Sequence, residues 1–190
     1  KVIYPPTLQP IIEKNIPVYI KNTFKPEDAG TLITHTSEAE TVVRGISHIN
    51  TIALLTLEGS GMIGVPGYSQ KLLTVLAQHH INVVMITQAS SEHSICLGIA
   101  AEEADFAEQT INEAFAMDIE TNKLNPIRVE KDLSIIALVG ENMKNHQGIS
   151  GRMFRALGNN NVNVKAIAQG ASEKNITAVI DSNDIKKALN

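Results

Sequence analysis

The apolar positions fall into two similar series of short runs. Thr51–Leu57 (TIALLTL) and Leu133–Val139 (LSIIALV) are β-branched and aliphatic runs of strand length that end near Gly59 and Gly140. After each, a glycine-bearing loop leads into apolar residues at helical spacing. These are Leu72, Leu73 and Leu76 with Val75 beside them, and then Met153, Phe154 and Leu157 with Ala156. The helices are predicted to stop at His79-His80 and at Asn159-Asn160-Asn161, where polar side chains tolerate a left-handed C-terminus. Second strands follow at Ile81–Gln88 and Val162–Gln169, then polar turns and third strands at Ser94–Ala100 and Asn175–Asp181. The first series continues with a helix from Glu102 to about Met117 and a fourth strand near Pro126–Glu130, giving the order βαββαβ. The second reaches only Asp184–Asn190 (DIKKALN), a helix start with Asp184 as its N-cap.

Setting Ile52 against Leu133 and sliding without a gap to Gln109 against Asn190 shows the two series to be copies. Identical pairs include Gly59/Gly140, Met62/Met143, Gly67/Gly148, Asn82/Asn163, Gln88/Gln169, Ser91/Ser172 and Glu92/Glu173. The second copy lacks a fourth strand, and a sheet without its edge would leave apolar surface and ladder groups unpaired. Ile16–Phe24 (IPVYIKNTF) belongs to neither copy by position and is expected to fill that edge. The second copy is then discontinuous, comprising residues 16–45, with 25–45 as a connecting loop and strand excursion, and residues 132–190. The first copy, 46–131, is inserted in it. Residues 1–15, helical from about Thr7, are read as the tail of an upstream element.

Composition narrows the function. A chain of 190 residues with 43% hydrophobic content suits one ordinary globular domain or two small ones. No run approaches the ~18 apolar residues of a membrane span, and Lys1–Pro6 lacks the apolar core of a signal peptide. The expected setting is cytoplasmic, with no membrane partner. Cys96 is the one cysteine, so no disulfide framework can form within a chain, and the sequon Asn175-Ile176-Thr177 is a chance match. A net charge of -4 and 4% aromatic residues argue against a nucleic-acid partner. The expected partner is a small molecule.

Gly59–Gly64 (GSGMIG) fits the dinucleotide-binding turn G-x-G-x-x-G. Three observations oppose that reading: the second copy has GENMKN there, no acid closes the second strand, and the third strand follows by a hairpin-length turn. The glycines suit a tight backbone after a strand, and they bare amides at a helix N-terminus that attract an anion such as a carboxylate. Gln88 and Gln169 supply the complement, since a side-chain amide accepts from an ammonium and donates to a carboxylate or hydroxyl. A lone glutamine at a strand end is more often a solvated cap. Its recurrence in both copies, with Asn82 and Asn163 opening the same strands, favours two equivalent binding sites. The six histidines show no metal-ligand spacing, Cys96 lies in a predicted strand, and Glu92 and Glu173 are read as solvated turn residues. No catalytic site is found.

KVIYPPTLQPIIEKNIPVYIKNTFKPEDAGTLI resembles the junction in aspartate kinases between the catalytic domain and the regulatory region, and GISGRMFRALGNNNVNVKAIAQGASEKNI resembles the second regulatory unit of that family. ITQASSE and IAQGASE are similar to the bifunctional aspartokinase and homoserine dehydrogenase type. The resemblance implies an α+β chain of two ferredoxin-like ACT domains, the second discontinuous, that binds a pathway end product and inhibits the attached kinase. It implies that Gln88 and Gln169 bind L-threonine. Asn82, Asn163, the loop Gly64, Val65, Pro66 and Gly67, and the loop Gln147, Gly148, Ile149 and Ser150 would surround the effector. One departure is Gly64 before Val65-Pro66, where some threonine-regulated relatives carry an aspartate. No cofactor is expected in these residues; the parent kinase would use ATP and Mg, with NADP if a dehydrogenase is fused. The implied partners are the upstream kinase domain and a second copy, in a homodimer through the ACT domains. Lysine as effector and a ligand-free dimerisation module are the alternatives. A nucleic-acid module of the same fold would need aromatic stacking residues that the strands lack.

Overall fold

The computed structural model describes residues 3–33, 41–88 and 93–190. The upstream unit holds helix α1 (Pro5–Glu13), which has proline in its first turn and ends before Asn15 in the left-handed region. Strand β1 (Val18–Ile20) then pairs antiparallel with β2 (Thr31–Ile33). The unit beginning at Thr41 runs β3 (Gly45–Glu58), α2 (Tyr68–Gln78), β4 (Val83–Thr87), β5 (Ser94–Ala100), α3 (Ala104–Ala114), α4 (Ala116–Glu120), β6 (Arg128–Val139), α5 (Ile149–Asn159), β7 (Val164–Gln169), β8 (Asn175–Asp181) and α6 (Ile185–Ala188). Its strands form one antiparallel sheet in the order β4-β5-β3-β6-β8-β7.

The centre of the sheet is two long strands, β3 of 14 residues and β6 of 12, each serving both copies. Leu54–Thr56 pair with Arg128–Glu130, completing the first copy, while Gly45–Ile49 pair with Ile135–Val139, completing the second. The expectation that Ile16–Phe24 fills the second copy's edge is therefore corrected. Val18–Ile20 takes Thr31–Ile33 as its partner, and Gly45–Ile49 stands beside β6. The reason is that residues 45–51 are all exposed and carry no inward alternation, so that only their ladder with β6 makes them strand. Register shifts near Ile52 break β3 into its two halves, with Thr51 at φ 62° and Asp132 at φ 59° marking matched points on the two long strands.

The repeat holds in backbone detail at the same constant offset. Left-handed residues recur as His80/Asn161, Gly64/Asn145 and Gly67/Gly148. Gly59 N–H donates to His93 O and Gly140 N–H to Lys174 O, each at 3.0 Å. Asn125 N–H donates to Glu58 O at 2.9 Å, and Arg44 N–H to Val139 O at 2.7 Å.

Alternation along β3 and β6 sends successive residues to opposite faces. Ala53, Leu55 and Leu57 face α2 and α3 in a core with Leu72, Val75, Leu76, Ile111 and Phe115. Leu73, placed on the buried face by spacing, is 38% exposed, while Val75 is buried. The helix expected as one piece to Met117 breaks at Phe115, whose φ of -102° and ψ of 12° separate α3 from α4. On the other face Ile52, Leu54 and Met85 of the first copy meet Leu133, Ile135, Ala166 and Val179 of the second in one cluster. The edge strands β4 and β7 also come into contact, so the sheet curls until its helix-free face closes on itself. The core under α5 is smaller and splits into two clusters, around Ile136 and Leu157 and around Met143 and Ile149.

A β-carbon at Gly59 would overlap the carbonyl of Lys123, and one at Gly140 the carbonyl of Val42. Gly59→Ala and Gly140→Ala should each cost about 1–3 kcal/mol, read as a lowered denaturation midpoint. Gly151→Ala and Gly158→Ala, in open space on α5, should instead raise stability by up to about 1 kcal/mol through helix propensity.

Candidate functional site

In the first copy β3 ends at Glu58, and Gly59 and Gly61 lie against the chain at Lys123, with Gly61 N–H donating to Lys123 O at 2.8 Å. Gly64 and Gly67, at φ 65° and 105°, then turn the chain into α2 at Tyr68. Gly148, at φ 80°, does the same for α5 at Ile149. Neither helix start has a side-chain cap or an acidic residue in its first turn. Both therefore present first-turn N–H groups and the positive end of an 11-residue helix, which suits a carboxylate.

Within each copy the glutamine stands at the same end of the strands as the glycine loop, and because β3 and β6 are antiparallel the two copies' glutamines lie at opposite ends of the sheet. Cys96 pairs with both Thr56 and Thr87, so β3 and β4 finish level, and Gln88 follows Thr87 directly. Thr177 pairs with both Ala137 and Ala168, and Gln169 is the next residue of β7. Matching bulges at Val83/Met85 and Val164/Ala166 shift the alternation in both strands. Met85, Ala166 and Ala168 then turn into the shared inner cluster, and Ile86, Gln88, Ile167 and Gln169 belong to the opposite face. Ile86 is 49% and Ile167 45% exposed, and both glutamines are exposed. The result in each copy is an exposed apolar and amide surface at the same end of the strands as a bare helix start.

Not every candidate joins this group. Asn82 and Asn163 precede β4 and β7, at the far end of the strand from Gln88 and Gln169. At ~3.3 Å per residue the separation is roughly 17–20 Å, too far for one amino acid to touch both within one copy. Val65 and Pro66 are exposed beside Gly64 and Gly67, and Gln147 and Gly148 are exposed in the second loop. The Ile149 side chain is 4% exposed and packs with Met143 and Ile176, which leaves its backbone to face a ligand; Ser150 is half-buried.

One residue read as solvated is engaged. Glu173, at φ 54°, accepts a hydrogen bond from Asn145 N–H at 2.7 Å, and its neighbour Lys174 pairs with Glu141 at 2.6 Å. The turn after β7 is thereby tied to the loop that leads into α5. The repetition of Glu92 and Glu173 was the signal for this role; Glu92 and the rest of its turn, 89–92, lie outside the described residues.

In the first copy the N-terminus of α2 is held from the other side. The Tyr68 ring stacks on Phe115 at 6.2 Å between centroids, and its hydroxyl donates to Asp118 Oδ1 at 3.4 Å. Lys71 Nζ lies 4.2 Å from the Phe115 centroid and 3.4 Å from Asp118 Oδ2. Burial pushes the Tyr68 phenol above its ordinary value of 10.0, and the charge and hydrogen bond of Asp118 push it the same way. Among the described residues no cluster of His, Cys, Asp or Glu could hold a metal ion, and no helix is long and apolar enough to cross a membrane.

The ACT domain family profile matches residues 55–115 and 136–190, one match per copy. The chain belongs to the ACT domain family. Along its whole length it is also 38% identical to a bifunctional aspartokinase/homoserine dehydrogenase of Haemophilus influenzae, of which it spans 23%. Among solved structures it is similar to the aspartate kinase of Clostridium acetobutylicum (TM-score 0.86, 26% identity), covering 100% of this chain and 43% of that one. It is similar too to E. coli aspartokinase III in complex with lysine and aspartate (TM-score 0.76, 26% identity, 100% and 41% covered). Two tandem ferredoxin-like ACT repeats, related to the regulatory regions of aspartate kinases, are thus established.

The three tyrosines give a test of the α2 latch. In an ultraviolet absorbance titration one of them should ionise late. That step should vanish in Tyr68→Phe and move to lower pH in Asp118→Asn. Because the folded state favours the neutral phenol, its contribution to stability should hold below pH 10 and fade as pH rises through the raised value.

Proposed function

We propose that this chain is the regulatory region of a bifunctional aspartokinase and homoserine dehydrogenase, and that it senses L-threonine at two equivalent sites. The observation that carries the reading is the gap-free repetition of a strand-end glutamine at the same end as a glycine-turned, uncapped helix start. It recurs in a chain that is similar over its whole length to a bifunctional enzyme. The effector carboxylate meets the first-turn N–H groups of α2 or α5. The amides of Gln88 and Gln169 take the ammonium and hydroxyl. In this reading the loops Gly64–Gly67 and Gln147–Ser150 flank the ligand, and the exposed Ile86 and Ile167 surface is covered by a further ACT repeat of a homodimer.

Binding inhibits the upstream kinase only by favouring one arrangement of the repeats over another, since a ligand of equal affinity for both shifts nothing. The parent enzyme, acting in the cytoplasm, would take ATP and Mg, with NADP at a fused dehydrogenase; this chain itself would need no cofactor.

Calorimetry should show threonine binding to the folded chain, and Gln88→Ala and Gln169→Ala should each weaken one site by about tenfold, the worth of a lost hydrogen bond. Unchanged affinity in both variants would misplace the sites. The solved complex of E. coli aspartokinase III with lysine supports lysine as the alternative effector. Titrating one amino acid into chain saturated with the other decides between them, the true effector displacing its rival.

A further inference from the structure

The two copies meet at a local two-fold relation, because Ile52 of β3 pairs with Leu133 of β6, its own counterpart in the repeat. A cavity of about 400 Å³ opens beside this pair and takes its lining from both copies, chiefly Asn50, Thr51, Lys131, Asp132, Ser134 and Ser182. Asn50 and Thr51 are the repeat counterparts of Lys131 and Asp132. Thr51 and Asp132 are both left-handed, at φ 62° and 59°, and for a β-branched threonine that is a strained backbone. The serines are not repeated. Their counterparts are Ala53 and Ala101, so the same two places are built once with alanines and once with hydroxyls. Ser134 is 0% exposed, and its Oγ lies 2.9 Å from Ser182 Oγ and donates to Asn50 Oδ1 at 3.5 Å. A hydroxyl pair bonded only to itself gains little over two alanines, so folding alone gives no reason for it.

We propose that this cavity binds a small α-amino acid as its zwitterion, at a site separate from the strand-end glutamines. Lys131 supplies the cation for the carboxylate; its ammonium holds Asp105 with one of three N–H donors and keeps the others for a ligand. The Ser134 and Ser182 hydroxyls add donors to the same anion. The Asp132 carboxylate, which makes no ion pair among the described residues, takes the ammonium, with Asn50 Oδ1 as a second acceptor. A simple anion or cation would leave one of the two charges unmatched, whereas a zwitterion meets both. Gln88 and Gln169 follow residues level with Thr56 and Ala137, which lie five residues beyond Thr51 and Asp132 along antiparallel strands. At ~3.3 Å per residue that is about 17 Å, so one ligand cannot occupy both places. A molecule in the cavity touches both copies where β3 and β6 exchange roles, and so strengthens their pairing.

The test is an amide chemical-shift titration by NMR of the isotopically labelled 190-residue chain with glycine, L-aspartate, L-threonine and L-lysine in turn. At least one of these should shift the signals of Thr51, Asp132, Ser134 and Ser182 saturably. Acetate and methylammonium, each carrying one of the two charges, should bind at least about tenfold more weakly. Asp132→Asn keeps a residue that tolerates the left-handed backbone, and the double variant Ser134→Ala with Ser182→Ala restores the alanines of the first copy. Each should weaken binding about tenfold. Gln88→Ala and Gln169→Ala should leave these shifts unchanged, so that failure of the strand-end sites and failure of this one read differently. No saturable shift with any of the four amino acids, or an equal response to acetate, would overturn the proposal. So would shifts that persist in both cavity variants or vanish in the glutamine variants.

Discussion

The structure depends on the antiparallel pairing of β3 and β6. Each strand is long enough to be the first strand of one copy and the fourth strand of the other. The first copy completes its sheet within residues 52–130, whereas the second must borrow Gly45–Ile49 from ahead of the first, and the change from one role to the other falls at Thr51 and Asp132. The apolar face left bare by the helices is buried by the same device, because curling brings Met85 and Ala166 into one cluster with Ile52, Leu54, Leu133 and Ile135. Unfolding one copy would strip an edge and half of that cluster from its partner, so the two are expected to open together.

This pairing also fixes where the two candidate sites lie. Both glycine loops and both glutamines are placed by strand ends whose register is set from the centre outwards, through β5 and β8. Among the described residues, left-handed positions recur at both helix starts, and each is held by side chains of its own. The first helix start is clasped by Tyr68, Lys71, Phe115 and Asp118. The loop of the second is tied by Glu173 and by the Glu141 and Lys174 pair.

Much of this was legible in the chain. The third strands, Ser94–Ala100 and Asn175–Asp181, fall where their apolar runs begin and end, since both are central and buried over most of their length. The glutamines were legible because they repeat. Gly45–Ile49 was not, for its residues are exposed and its strand character comes from a partner almost a hundred residues away. The choice of Val75 over Leu73 depended on how α2 lies on its sheet, and the separation of Asn82 from Gln88 on the length of β4 between them. The engagement of Glu173 needed a contact with Asn145 that no local pattern announces.

By itself, then, the sequence determined the repeat, the elements and the residue types offered at each strand end, because periodicity and turn chemistry act over a few neighbouring residues. Only the tertiary structure decided which strand completes which copy, which loop is tied and by what, and which polar residues share a surface. Those outcomes depend on register between distant strands and on the curl of the whole sheet, and neither is written in any short stretch of the chain.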